Sequence, residues 1–367
     1  MSTNKQHKDS QASVQLAHGS GGSLMQKLIK DIFVENFAHA GSTIQLEDAA
    51  SIVLLGSGAN SSDSVISFST DSYVVQPLFF PGGDIGRIAV CGTVNDVATS
   101  GSRPLCLSAS FILEEGFPLD DLRRIVLSMA ETAQEAGVSI ITGDTKVVGK
   151  GQADGIFITT TGVGLMPAEQ KPLTADAIQA GDVVVLSGSL GDHGMCIMSQ
   201  REELSFAADL STDAAPLNQM MAAVLEAAPD TRCFRDPTRG GLASTLNELA
   251  ETAQVKMTID ERSVPVKPVV QGACEMLGYD VFQVANEGKI VAIVPEKQAE
   301  AAVAAMKTSS YGADAAIIGT IEELNLQGDG KENTSSPARF AKVQLRNAFG
   351  AKRVMDTLVG EQLPRIC

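Results

Sequence analysis

Two runs rich in β-branched residues follow one another near the start of the chain, "SIVLLG" at 51–56 and "SVISFSTDS" at 64–72, each bounded by Gly, Ser or Asp. They read as two strands of one sheet. Further on, the strand "VSIITGDTKVV" (138–148) is followed by another, "GIFITTTGVGLM" (155–166). Because strands and helices do not alternate strictly, the pattern argues for an α+β fold rather than a doubly wound parallel sheet.

Helices fill the space between these pairs. Gly82 and Gly83 introduce Asp84, whose carboxylate can cap a helix through "IGRIAVCGTVNDVATSG" that stops at Gly101. "LDDLRRIVLSMAETAQEAG" buries Leu122, Ile125, Val126 and Met129 and ends at Gly137. An earlier helix follows "AHGSGGS", with Leu24, Leu28, Ile32 and Phe33 at helical spacing. These elements form a first domain at 15–168, behind a polar, disordered tail at 1–14. A Pro- and Asp-containing link opens a second α+β domain at 169–355. It holds a buried strand in "VVVLSGSLGDHG", helices around 214–229 and 239–254, strands at "KIVAIVP" and "AAIIGTI", and a helix at "EKQAEAAVAAMKTSS" between them. Residues 326–340 are rich in Gly, Ser, Asn and Pro and read as a mobile loop. A flexible tail, 356–367, carries the terminal Cys367.

The 367 residues are ample for a sizeable core in each of two or three domains. A net charge of −16 excludes nucleic acid and anionic membrane surfaces as partners, since both would repel the chain. It does not exclude a nucleotide, which is held by local glycine loops, lysines and bridging metal. The N-terminus lacks an apolar signal segment and no stretch approaches a membrane span, so the protein reads as cytoplasmic. Six cysteines without a CxxC pair then read as thiols, and a zinc site is not expected.

Three acidic motifs carry chemical interest: "LEDAAS" with Asp48, "STDSYV" with Asp71, and "TVNDVATSG" with Asn95 and Asp96. Each acid follows or interrupts an apolar segment, where a lone carboxylate is costly to bury. Converging hard oxygen ligands suit a magnesium ion that also holds phosphates; unrelated caps and turns are the alternative. "AHGSGGS", with Gly21 and Gly22, can wrap phosphates but is not a P-loop. "ITGDTKVV" sets Asp144 and Lys146 at the mouth of an apolar strand. "RDPTRGGLASTLNE" puts Pro237 at a helix start and Gly240 and Gly241 in its first turn, poor for a helix but good for an anion. His193 in "SLGDHGM" reads as a polar loop residue. In "VANEGKI", Gly288 reads as a helix C-cap, which leaves Glu287 unexplained.

Taken in order, "EDAA", "TDS", "PGGDIGRIAVCGTVNDVATSGSRPL", "TGDTKVV", "GDHG", "DPTRGGLASTLNE", "ANEGK" and the terminal "PRIC" resemble the HypE family of hydrogenase maturation proteins over about residues 16–367. The wider superfamily of aminoimidazole ribonucleotide and selenophosphate synthetases shares the Asp motifs but not the "PRIC" ending. The resemblance implies a two-domain PurM-like homodimer whose N-terminal sheets pair into a shared barrel. ATP and Mg2+ would lie among Gly21, Gly22, Asp48, Asp71, Asp84, Asn95, Asp96, Asp144, Lys146 and the neighbouring subunit. Asp48, Asp71 and Asp96 would serve the metal. Cys367 would carry a carbamoyl group, with Glu287 as base and Lys146 orienting or relaying. The glycine loop here is shorter than the family's, and residues 326–338 look like an insertion.

The implied reaction is ATP-dependent dehydration of S-carbamoyl-Cys367 to a thiocyanate, supplying cyanide for hydrogenase iron. HypF would be the carbamoyl donor and a HypC–HypD complex the cyanide acceptor. Rival readings are a superfamily kinase or ligase acting on a free small molecule, and a nucleotide-binding thiol carrier that transforms nothing.

Overall fold

The computed structural model describes residues 14–19, 22–34, 36, 47–54, 64–166, 170, 171, 173–202, 210–324, 343–357, 363 and 365–367. Residues 1–13 of the expected tail at 1–14, Gly21 and the loop at 326–340 lie outside the described residues. The chain folds around two sheets. The first has five strands in the order β1 (Ala50–Leu54), β2 (Ser64–Tyr73), β7 (Ile156–Met166), β5 (Arg103–Glu114) and β6 (Ser139–Val148). A short hairpin, β3 (Phe79–Phe80) with β4 (Gly83–Asp84), stands apart. Neighbours in the large sheet run antiparallel except β5 and β6. The second sheet has seven strands, ordered β14 (Lys352–Val354), β13 (Val343–Arg346), β10 (Val255–Asp260), β12 (Ala316–Glu323), β8 (Asp182–Leu186), β11 (Val291–Pro295) and β9 (Cys233–Arg235). The α+β expectation holds.

Helix α1 (Ser23–Leu28) is short and runs on into a π-helical stretch, Ile29–Val34. Its apolar stripe is largely in the open, with Leu24, Ile32 and Phe33 exposed. Helix α2 (Ile85–Thr99) is the opposite case, buried on nearly every side. A helix that is apolar all round belongs in an interior. Here Ile85, Ile88 and Val94 join Leu107, Ile125, Met129 and Ile158 in one core, which draws on the sheet and on α3 (Leu119–Ala136). Close packing on β7 needs a missing side chain: a Cβ on Gly164 would lie 2.4 Å from Val97 Cγ1. Of the apolar face expected on α3, Ile125 and Met129 are buried while Val126 is 45% exposed.

In the second half, α4 (Asp192–Arg201), α6 (Gly241–Ala253) and α7 (Pro268–Leu277) contribute to one face of the sheet. On the other face lie α5 (Asn218–Ala227) and α8 (Ala299–Lys307). Strand β8 is therefore buried on both sides, Val184 and Leu186 in one core and Val183 and Val185 in the other. That explains its unbroken apolar run. The sequence reading ran a strand through "GDHG", yet α4 begins there and His193 is a buried helical residue rather than a loop residue. Pro237 lies ahead of α6, whose N-cap is Gly240 at φ 77°. Among the described residues, no helix is long and apolar enough to cross a membrane.

Asp84 is a structural residue. Its carboxylate accepts hydrogen bonds from the N–H groups of Gly86 at 2.7 Å and Arg87 at 3.0 Å, capping α2. In urea melts, Asp84→Ala should lower unfolding free energy by about 1 kcal/mol with an unchanged denaturant slope, as loss of an N-cap does. A loss under about 0.3 kcal/mol would show that the cap is redundant.

Candidate active site

A cavity of about 820 Å³ opens between the two halves and is walled by acids from four separate elements. Asp48 precedes β1, Asp71 lies on β2, Asp96 on α2, and Asp236 just after β9. Carboxylate oxygens of Asp48, Asp96 and Asp236 lie within 4.8 Å of one another. That spacing suits one hard cation with oxygen ligands. Asp48 Oδ2 is buried without a partner, which leaves a coordination position open. Asp71 stands beside this trio, accepting from Tyr73 Oη at 3.2 Å.

The electrostatics follow from that crowding. Burial, and then the charges of Asp71, Asp236 and Asp48, push the Asp96 carboxyl far above the usual range. Burial followed by Asp48 and Asp71 does the same to Asp236. Asp48 is raised too, although Arg235 opposes the shift. Arg235 is itself buried, pairing with Asp48 and, at 3.1 Å, with Glu47. The trio must share either protons or a cation.

Glu287 closes the cavity from the loop before β11. It is 4% exposed, and its Oε1 has no partner. Its N–H donates to Asp213 Oδ1 at 3.0 Å, and Asp213 in turn pairs with Lys289 at 3.0 Å. Burial first, then Asp236, Asp213 and Asp71, hold Glu287 well above the carboxylate range, against the pull of Arg239. Gly288 is no helix cap. A Cβ there would sit 1.8 Å from Asp213 O, so the loop's close approach is what excludes a side chain.

The chain's last residue enters this same cavity. Val74 N–H donates to Cys367 O at 3.0 Å and Gln76 N–H to Arg365 O at 3.3 Å, so the tail adds itself beside the segment after β2. Ile366 is buried in the core around α2. Burial pushes the Cys367 thiol up to about 12; Arg239 works against this, and Glu287, Asp71 and Asp236 add to it. The docked thiol stays protonated.

Of the residues expected from the sequence, the cavity gathers Asp48, Asp71, Asp96, Glu287 and Cys367. Asp84 caps α2 instead. Asn95 faces away, donating to Ala215 O at 3.0 Å and accepting from Leu217 N–H at 2.7 Å, so it pins the two halves together. Gly22 is the N-cap of α1, whose Met25 and Gln26 do line the cavity. Asp144 and Lys146 pair with each other at 2.5 Å on the exposed strand β6, and within one chain they do not reach the cavity. Asp236, Arg235 and Arg239 were missed as individuals. Their signal was charge in "RDPTRGG", just ahead of a glycine-broken helix start.

Residues 46–166 match the AIR synthase related protein N-terminal domain, and residues 179–328 the C-terminal domain. The chain is 50% identical over 355 residues to the carbamoyl dehydratase HypE of Azotobacter vinelandii, which covers 97% of each chain. It belongs to the HypE family. A solved HypE in complex with ATP superposes at a TM-score of 0.77 with 44% identity, covering 97% of this chain and 100% of that one. A HypE–HypF complex gives 0.78 at 42% identity, covering 92% and 100%.

The trio of Asp48, Asp96 and Asp236 makes a pH-dependent prediction. Because the folded pKa values of Asp96 and Asp236 are raised from 3.8, the stability they lend is present at low pH and lost as pH rises through those values. A divalent cation replaces the missing protons, so the rise in Tm caused by Mg2+ should grow between about pH 5 and about pH 8. Asp236→Asn should flatten that growth. An equal Mg2+ effect at both pH values would remove the trio from consideration as the cation site.

Proposed function

We propose that this chain uses ATP to remove water from a carbamoyl group carried on its own Cys367 thiol, leaving a thiocyanate from which cyanide is passed to hydrogenase iron. The observation that carries this reading is the convergence of the Cys367 thiol, a buried glutamate with one unpartnered carboxylate oxygen and a trio of carboxylates in one cavity. A free small-molecule substrate would give no reason for the chain's own end to lie there. The HypE–ATP structure supports ATP as the nucleotide, and the cavity's volume is within the range of small-molecule sites.

The chemistry divides among the residues present. Asp48, Asp96 and Asp236 would hold magnesium, which offsets charge on the phosphoryl group during transfer. The carbamoyl oxygen displaces ADP from the γ-phosphorus, and one N–H proton is lost as the C–N bond becomes an imine. A base then takes the second N–H proton, the nitrogen lone pair closes the nitrile, and the C–O bond breaks as phosphate leaves. Glu287 is that base. Burial and neighbouring acids raise its carboxyl well above the carboxylate range, and positive charge at the trio would lower it again and free it to accept a proton. Keeping water out preserves the thiocyanate until it is delivered.

Intact mass spectrometry of the carbamoylated protein tests the reading: Mg-ATP should make the tail peptide lighter by one water. Glu287→Gln should load normally yet convert about 10²–10⁴-fold more slowly, the usual worth of a general base. Cys367→Ala should accept no carbamoyl group at all. Conversion of Glu287→Gln at the unmodified rate would remove Glu287 from the mechanism.

The same reading takes the protein as a homodimer, with a HypF carbamoyltransferase as donor and a HypC–HypD complex as acceptor. Support comes from β6, an edge strand exposed along nearly its whole length, with Ile141 66% and Val147 68% exposed. Long apolar edges call for a partner strand. A second copy laid along β6 would also give Asp144 and Lys146 a cavity to serve. Val147→Lys should yield monomers by light scattering with reduced ATP turnover; a dimer of unchanged affinity would refute this interface.

A further inference from the structure

Nothing in the proposed chemistry uses His193 or Arg201, yet both spend hydrogen bonds on the tail. His193 is fully buried near the start of α4. Its Nε2 lies 2.7 Å from Ile366 O and its Nδ1 2.8 Å from Thr212 Oγ1. A carbonyl can only accept, so Nε2 carries the proton and donates, while Nδ1 accepts a hydrogen bond from the Thr212 hydroxyl. Burial lowers the pKa of this histidine, which favours that single neutral tautomer. Arg201, at the other end of α4, donates from Nη2 to Arg365 O at 2.6 Å and from Nε to Gln76 O at 2.6 Å. One guanidinium therefore ties the tail to the segment it lies against.

These contacts are made to main-chain carbonyls, whichever side chains the tail bears. Against them stands the backbone of Arg365, at φ 51°, a left-handed conformation that non-glycine residues seldom adopt. Its guanidinium compensates by donating to Val74 O at 2.9 Å and by pairing with Asp154. The docked tail is thus a strained conformer held by identifiable donors. Such an arrangement suits a thiol that must both enter a cavity and leave it.

We propose that His193 and Arg201 form a catch on the carbonyls of Ile366 and Arg365 that sets how much of the time Cys367 spends in the cavity. They are positioning residues for dehydration and are not required for loading the thiol. This rests on the function proposed above for Cys367.

The test is the rate at which iodoacetamide alkylates Cys367 in the intact protein, read from the mass of the C-terminal peptide. His193→Phe keeps the ring and removes the donor, and Arg201→Gln removes the two-carbonyl tie. Each should raise labelling about tenfold, the worth of a buried or charged hydrogen bond. His193→Gln and Arg201→Lys, which keep one donor, should restore part of the slow rate. In single-turnover assays both loss variants should accept carbamoyl at least as fast as the unmodified protein, because the freer thiol is also easier to load, and convert it more slowly. Unchanged labelling in folded variants overturns the catch, and so does an equal loss of loading and conversion. If His193→Phe fails to fold, the half-buried Arg201 decides the question alone. If the unmodified protein never converts carbamoyl but labelling still responds, the catch stands and the dehydratase reading fails.

Discussion

The site depends on one buried side chain that lies outside the cavity. Asn95, on a helix buried on nearly every side, exchanges two hydrogen bonds with the main chain at Ala215 and Leu217. An amide in that position has a large desolvation cost unless both its ends are satisfied, so it specifies one docking of the second half against the first. Arg87, from the first turns of the same helix, adds a bond to Ala214 O at 2.8 Å. With the halves fixed, Asp96 on the first comes to face Asp236 and Glu287 on the second.

Bringing those acids together has an electrostatic cost that the fold does not neutralise by itself. Arg235 answers Asp48 and Glu47, but Asp96, Asp236 and Glu287 are left to be protonated or to await a cation. Burial and the neighbouring acids raise the Glu287 carboxyl well above the carboxylate range and push the Cys367 thiol up to about 12. Binding positive charge changes both conditions at once.

The tail couples this cavity to the outside. Its carbonyls are gripped by α4, its Ile366 side chain enters the core around α2, and its thiol reaches the acids. In contrast stands β6, paired with β5 along one edge and exposed along nearly its whole length. One element shows how a chain can satisfy an open backbone edge with its own end, and the other an edge that a single chain leaves uncovered.

Local elements were legible in the sequence because their causes are local. Asp84 after two glycines predicts a cap, Gly137 predicts the end of α3, and two consecutive β-branched runs predict adjacent strands; all three are found. The motif order also identified the family, and with it Asp48, Asp71, Asp96, Glu287 and Cys367. What the sequence could not assign was direction. Asp84, Asn95 and Asp96 lie within twelve residues of one another, yet only Asp96 points at the cavity. Gly288 read as a helix end until the approach of Asp213 explained the glycine. His193 looked like loop polarity because its partner, Ile366 O, is 173 residues away. Propensity and capping are settled within a few residues of chain, whereas charge convergence and the tail's grip arise only when distant segments are packed at fixed orientation, and that was decided by the tertiary structure.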